Sequence, residues 1–224
     1  MDYSIEQLLI AIENGQLPPD FDRWDLVVDD YGRTIAHVAA ELGCLPPDFD
    51  WWDLSDNNGW AVAHEAAMYN HLPPDFDWWD LSIPDTGWTV AHIAIRHGPL
   101  PSDFNRWDMS DNRGWTVAHE AAMFGYLPPD FNQWDMADKD GWTVAHEAVQ
   151  YGPLPPDFNR WELADINGIT VAHEAARYED RLPPDFDQWD LVDNTGRTVA
   201  QLAYDRCTLP PYFNRWDLIY QPKR

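Results

Sequence analysis

The sequence predicts a mainly α fold, a solenoid built from one tandem array of short helix–turn units. Three observations predict it. The Leu of a Leu-Pro motif falls at Leu17, Leu45, Leu72, Leu100, Leu127, Leu154, Leu182 and Leu209, always 27 or 28 residues apart. A Val/Ile-Ala-His motif recurs in register at His37, His64, His92, His119, His146 and His173, with Gln201 in the last place. A Phe and a Trp follow every Leu-Pro, from Phe21 and Trp24 to Phe213 and Trp216. A fixed period of this length is the signature of stacked repeats that bury a shared core.

The elements follow in order. Residues 1–16 are expected to form an N-terminal capping helix, with Ser4 at its N-cap and no His motif. Residues 17–208 then hold about seven repeats, and residues 209–224 a C-terminal cap ending in "YQPKR". Each repeat opens on Asp-x-x-Gly, as in "DNRG" from Asp111, where Asp can bond the backbone and Gly can take positive φ. A Thr then caps a helix such as "VAHEAAMF", stopped by Gly125. "LPPDF" is too short for a full helix and is expected to give one turn of 3₁₀ or α, and "NQWDM" to run extended into the next turn. Single-residue insertions near Val27, Ile83 and Glu179 mark loops. The Phe and Trp columns are expected in the core.

"DNRGWTVAHEAAMFGYLPPDF" resembles the ankyrin repeat, whose pattern is Asp-x-x-Gly-x-Thr-Pro-Leu-His-x-Ala-Ala-x-x-Gly. Here Val-Ala replaces Pro-Leu, and the Trp-Asp-Leu-Val-Asp run at Trp189 looks like the family's Ala-Asp-Val-Asn. These repeats are about six residues shorter than the family's roughly 33, so the resemblance implies an ankyrin-like solenoid with a reduced second helix. It also implies that the His column is structural, bonded locally to Thr34, Thr89, Thr116, Thr143 and Thr170 and tying neighbouring repeats together. Ala61 replaces Thr in one repeat, which a shared catalytic role would tolerate badly.

Composition narrows the function. There are 39 Asp plus Glu against 14 Lys plus Arg, a net charge of −25. Such a surface repels nucleic acid and anionic membrane and favours basic partners. No run is long enough for a spanning helix. "MDYSIEQLLIAIENG" has acids where a signal peptide carries Lys or Arg, so a cytoplasmic protein is expected. Cys44 and Cys207 match no metal spacing and are expected as buried free thiols. "DKDG" before Trp142 brushes a calcium-loop pattern, but the first ligand position would be Met136, and repeat four has Arg113 at the fifth. No unique nucleophile stands beside a unique His, and the polar residues recur in register. No enzyme, metal or cofactor is expected.

Function is therefore sought in what varies between repeats. The residue after the turn Gly is Trp60, Trp88, Trp115 and Trp142 in four consecutive repeats. A column late in the helix carries Tyr69, Phe124 and Tyr151, which the resemblance places toward the concave side. Acids follow every core Trp, among them Asp53, Asp80, Asp108, Asp135 and Glu162, with a further column from Asp20 to Asp185. These aromatic and acidic residues form the expected partner-binding surface. The tip Trp side chains either face a partner or stack on one another between repeats. At about 9 Å per repeat, typical of packed helices, the net charge lies at about one per 3 Å, against one per about 1.7 Å in duplex DNA. The expected function is a non-enzymatic scaffold that binds a basic protein, possible as a nucleic-acid mimic of the anti-restriction or anti-CRISPR kind, a likeness of composition only. The alternatives are an ankyrin-like adaptor without mimicry and a Trp platform for carbohydrate.

Overall fold

A computed structural model describes residues 3–18 and 20–220. They form two compact bodies divided between Asn112 and Arg113. The first holds α1 (Ile5–Glu13), α2 (Ile35–Glu41), α3 (Val62–Met68) and α4 (Val90–His97). The second holds α5 (Val117–Phe124), α6 (Val144–Tyr151), α7 (Val171–Ala175), α8 (Val199–Arg206) and a 3₁₀ turn at Trp216–Leu218. Within each body, every helix packs on the next in sequence. This is the expected mainly α architecture of stacked helix–turn repeats. Ser4 caps α1 as expected, its hydroxyl accepting the Gln7 N–H. Residues 221–224 of the expected C-terminal cap lie outside the described residues.

The reduced second helix is reduced further than expected. "LPPDF" makes a single β-turn, with the Phe N–H donating to the first Pro carbonyl, as from Phe131 to Pro128 at 3.0 Å. Pro at the second position of the turn pre-sets the required φ. The next four residues do not run extended. They make a second turn, as from the Met136 N–H to the Gln133 carbonyl at 3.2 Å. Only afterwards does the chain pair with itself, through isolated antiparallel bridges such as Ala137 to Thr143.

The second turn has a definite task. The first N–H groups of a helix have no partner inside it. In α6, the Val144 N–H donates to the Met136 carbonyl, the Ala145 N–H to the Trp134 carbonyl, and the His146 N–H to the Thr143 hydroxyl. The two turns thus close the helix start that they precede. Two of the insertions widen the hairpin, whose bridges span Val27 to Thr34 and Ser82 to Thr89 rather than the shorter loop of Ser55 to Ala61. The third follows α7, the shortest helix, in the loop around Glu179.

The core has two layers. The helices contribute Ala, Val and Ile side chains with no exposed surface, among them Val62, Ala63, Ala66, Val144 and Ala145. Small residues let adjacent helices approach closely. The turns contribute the Phe and Trp columns, which form edge-to-face ladders. In the first body Trp24 meets Phe49 at 5.5 Å, Phe49 meets Trp52 at 5.0 Å, and Trp52 meets Phe76 at 5.3 Å. In the second body Phe158, Trp161, Phe186 and Trp189 continue the pattern at 5.0 to 5.6 Å. Such pairs add roughly 0.5–1.5 kcal/mol each beyond the area they bury. The cysteines overturn their expectation. Cys44 is half-buried and Cys207 exposed. Both sit just past a helix end, and Cys207 takes the left-handed position (φ 60°) that Gly125 fills in α5.

The buried His column ties successive repeats. The His119 Nδ1 accepts the Thr116 backbone N–H at 3.1 Å, and the Thr116 hydroxyl lies 2.7 Å from the same nitrogen. A backbone N–H can only donate, so Nδ1 carries no proton and the imidazole is the neutral Nε2–H tautomer. Nε2 then donates to the Trp142 carbonyl of the next repeat at 3.0 Å. The same bridge joins His37 to Trp60, His146 to Ile169 and His173 to Arg197. His64 differs. Its Nε2 makes no well-formed hydrogen bond, although the Trp88 backbone lies near enough to favour its charged form, and the turn it faces is the widened one that begins at Ser82. Burial pushes its pKa down to about 4 and also lowers those of His37, His146 and His173.

Three outcomes are expected. His119→Ala lowers unfolding free energy by about 1–3 kcal/mol, and His64→Ala by about one hydrogen bond less, both read by denaturant melts. Ala61→Thr, which restores the missing cap hydroxyl at an already capped helix start, raises stability by about 0.5–2 kcal/mol. The His pKa values are depressed by folding, so their contribution is complete above the unfolded value of about 6.5 and is lost as pH falls toward 4. His64→Gln should flatten that part of the stability–pH curve.

Candidate partner-binding surface

The tip of each hairpin is built by its Asp. The Asp138 carboxylate accepts the N–H groups of Asp140 and Trp142 at 2.9 and 2.8 Å. Gly141 between them takes φ 77°. Tips within a body also bond one another, as from the Lys139 N–H to the Arg113 carbonyl and from the Ile166 N–H to the Asp140 carbonyl. Close approach forbids a side chain at some of these glycines. A Cβ at Gly87 would stand 2.6 Å from the Asn112 nitrogen. The tip residue is therefore fixed at both ends at Trp142 and Ile169, its N–H by the turn Asp and its carbonyl by the preceding His, whereas the Trp88 N–H goes to the Thr86 hydroxyl.

This fixes where the tip tryptophans lie. Trp60, Trp88, Trp115 and Trp142 are all half-buried. Each indole lies over the His ring of its own repeat, at 4.7 Å for Trp115 and 4.8 Å for Trp142. Three indole N–H groups donate to a Glu five residues on, from Trp60 to Glu65, Trp115 to Glu120 and Trp142 to Glu147, at 2.6 to 3.0 Å. At Trp88 the Glu is replaced by Ile93, and the Arg96 guanidinium lies 4.3 Å from the ring centroid. Each tip Trp is thus held against its own helix, with one edge left to solvent.

The glutamates are the residues the sequence reading missed. Glu65, Glu120, Glu147 and Glu174 are buried, between 2% and 8% exposed. Their signal was the recurrent "HE" pair, one residue past the His and five past the tip. Arg33 donates to Glu65 and Glu41, and Arg177 pairs with Glu174 at 3.0 Å. Burial raises the pKa of Glu65, Glu147 and Glu174. The neighbouring Glu120 and Glu174 charges raise that of Glu147 further, against the Trp142 N–H, which lowers it.

Tyr69, Phe124 and Tyr151 stand four residues beyond these glutamates on the same helices and are exposed, by 41–53%. Residues at i and i+4 share a helix face. The structure therefore brings Trp60, Glu65 and Tyr69 into one strip, and likewise Trp115, Glu120 and Phe124, and Trp142, Glu147 and Tyr151. The acids Asp53, Asp80, Asp108, Asp135 and Glu162 belong to a separate element, the second turn, where all are exposed. Asp80 pairs with Arg106 and Asp135 with Arg160, each at 2.8 Å. Among the described residues no three His, Cys, Asp or Glu side chains are grouped to hold a metal ion. No helix there is long and apolar enough to cross a membrane.

An Asp-Gly hairpin, a Thr-capped helix and a His bonded to the next tip make up the regular repeat, from which Ala61, His64 and Gln201 depart. The repeat is ankyrin-like. No family model matches the sequence, and none of the curated proteins compared with it does. Among solved structures, the ankyrin repeat domain of Bcl-3, a member of the IkappaB protein family, is similar over 88% of this chain and 92% of that one, at 15% identity and a TM-score of 0.39.

Glu147 gives this surface a measurable electrostatic cost. Its folded pKa is raised, so the stability linked to its protonation is present below the unfolded carboxylate range and is lost as pH rises through the folded value. Glu147→Gln keeps an acceptor for the Trp142 indole and removes the buried charge. The variant should melt higher than the parent at pH 7, and the gap should close by pH 4. A variant that melts lower at pH 7 would show that the charge is a net stabiliser.

Proposed function

We propose that this chain is a non-enzymatic repeat scaffold that binds a basic protein, competing with nucleic acid for it and so inhibiting a DNA- or RNA-binding protein. The observation that carries the reading is the exposure of the second-turn acids in every repeat of each body, with 14 Lys plus Arg to offset 39 Asp plus Glu. The strips of Trp, Glu and Tyr or Phe supply rigid aromatic edges beside buried charge, the composition found at interface hot spots. In this reading α1 and the segment after residue 209 close the array as caps. The unpaired Cys44 and Cys207 suit a reducing cytoplasm.

The test begins with affinity capture at 50 and 200 mM salt, followed by titration of the captured protein with the purified chain. Mimicry requires affinity to fall steeply over that interval and duplex DNA or RNA to compete. Trp115→Ala and Tyr151→Ala, checked for unchanged melting, should each weaken binding, the Trp by about 2 kcal/mol or more as a hot spot. Binding that ignores both salt and nucleic acid would reject mimicry. It would leave an adaptor that uses the aromatic strips, the second reading those strips support.

A further inference from the structure

The position just before each core Trp shows a substitution pattern with a physical consequence. Where this residue is Arg106, its guanidinium reaches back to Asp80, the acid after the preceding repeat's core Trp, at 2.8 Å. Where it is Arg160, the guanidinium reaches back to Asp135 in the same way. At the chain's end Arg215 pairs instead with Asp217 of its own repeat. An Arg here is thus an internal counter-ion for the second-turn acids.

Two consecutive repeats of the first body carry Trp at this position instead. Trp51 and Trp78 are 41% and 43% exposed, beside core tryptophans that are under 9% exposed. By repeat register, Trp51 stands where an Arg would face Asp25, and Trp78 where one would face Asp53. Both acids are exposed. Asp50 and Asp77 precede the two Trp directly and are exposed as well. Trp51 also forms a wall of an open cleft of about 370 Å³, together with Phe21, Trp24, Asp48 and Asp50. The exchange of Arg for Trp removes a cation, and it puts in its place the side chain whose face best attracts one. The fold already shows that pairing elsewhere in this body, where the Arg96 guanidinium lies over Trp88.

We infer that Trp51 with Asp25, and Trp78 with Asp53, are two slots for arginine side chains of a partner protein, which supply from outside the guanidinium that Arg106 and Arg160 supply from within. The inference rests on the reading that the acidic face binds a basic protein, and it names the recognised residue and the place. Guanidinium suits both halves of a slot, since it stacks on indole and bonds a carboxylate in its plane. The slots also set a spacing. Trp52 and Trp79 each touch Phe76, at 5.3 and 4.9 Å, so equivalent positions in these repeats lie no more than about 10 Å apart, within reach of the roughly 9 Å rise of one three-residue turn of polyproline II. The partner segment is therefore a polyproline II stretch, whose three residues per turn bring an Arg at every third position back to the same face.

The probe is a labelled peptide of four Arg-Gly-Pro triplets, followed by anisotropy at 50 mM salt. Controls are a peptide of the same composition with the arginines adjacent, and one with Lys for Arg. The parent should bind the spaced Arg peptide at least fivefold tighter than either control. Trp51→Ala with Trp78→Ala should weaken binding at least tenfold. Trp51→Arg with Trp78→Arg, which places at both positions the residue other repeats use, should weaken it as much while melting no lower than the parent. Equal affinity for the double Ala variant, or for the adjacent-Arg peptide, overturns the slots. In either case, salt-sensitive binding of the captured protein by the parent leaves the acidic-face reading standing, and salt-insensitive binding by the parent rejects that reading separately.

Discussion

The neutral imidazole in each repeat is the constraint from which the surface follows. The backbone N–H of the capping residue occupies Nδ1, as from Thr143 to His146 at 3.2 Å, and so leaves Nε2–H to reach the next tip. One side chain thereby closes its own helix start and sets the height of the neighbouring hairpin. The tip Trp lies on that same ring. Its orientation, and the direction of its N–H toward the Glu, are consequences of where the His is held. An imidazolium would place a proton on Nδ1 against the backbone N–H, which is why burial and geometry both favour the neutral form.

Losing a second helix would ordinarily leave a repeat too thin to bury its first. Two devices offset this. The paired turns return carbonyls to the helix start, so the backbone groups freed by the missing helix are used rather than stranded. The Phe and Trp ladders replace the lost volume with large side chains in a fixed edge-to-face order. The ladder also explains the strict spacing. A residue inserted in the turns would shift Phe against Trp, whereas the observed insertions fall in hairpins or after α7, where only the loop must widen. Where the widened hairpin meets a His, at His64, the bridge is no longer well formed.

Much of this was legible in the sequence because repetition exposes function by position. The Thr and His columns, the Gly at φ above zero and the Phe and Trp columns each recur at one register, and a recurring residue type points to a recurring contact. The stretch after Phe carries no turn signal of its own such as Gly or Pro, and the turn there is imposed by tertiary demand, the need for acceptors at the helix start. The buried glutamates were hidden for a related reason. A Glu in an acidic chain reads as solvated surface, and nothing local reveals that an indole from the hairpin will cover it. The tip Trp column was placed correctly at the hairpin, but its two proposed fates were both incomplete. It rests on the repeat's own His, and at Trp60, Trp115 and Trp142 on its Glu as well.

The acids divide by what they do, and the division bears on what a partner meets. The hairpin acids Asp56, Asp138, Asp165 and Asp193 are absorbed by turns, each accepting backbone N–H groups two and four residues on. The helix glutamates are buried against indoles or guanidinium groups. The acids of the two turns after each helix recur in register and are exposed without a structural duty common to every repeat. At about 9 Å per repeat, typical of packed helices, their spacing within a body is close to the Debye length at physiological salt, so successive charges still repel. Arg106 and Arg160 show that the fold can place a counter-ion there at the cost of one residue. In the repeats of Trp51 and Trp78 the same register position carries an exposed aromatic ring instead. Repulsion is therefore relieved at some positions and retained at others within one repeat design. Gln133 and Gln188 also leave the preceding acid without a guanidinium, but only Trp51 and Trp78 add an exposed indole face there.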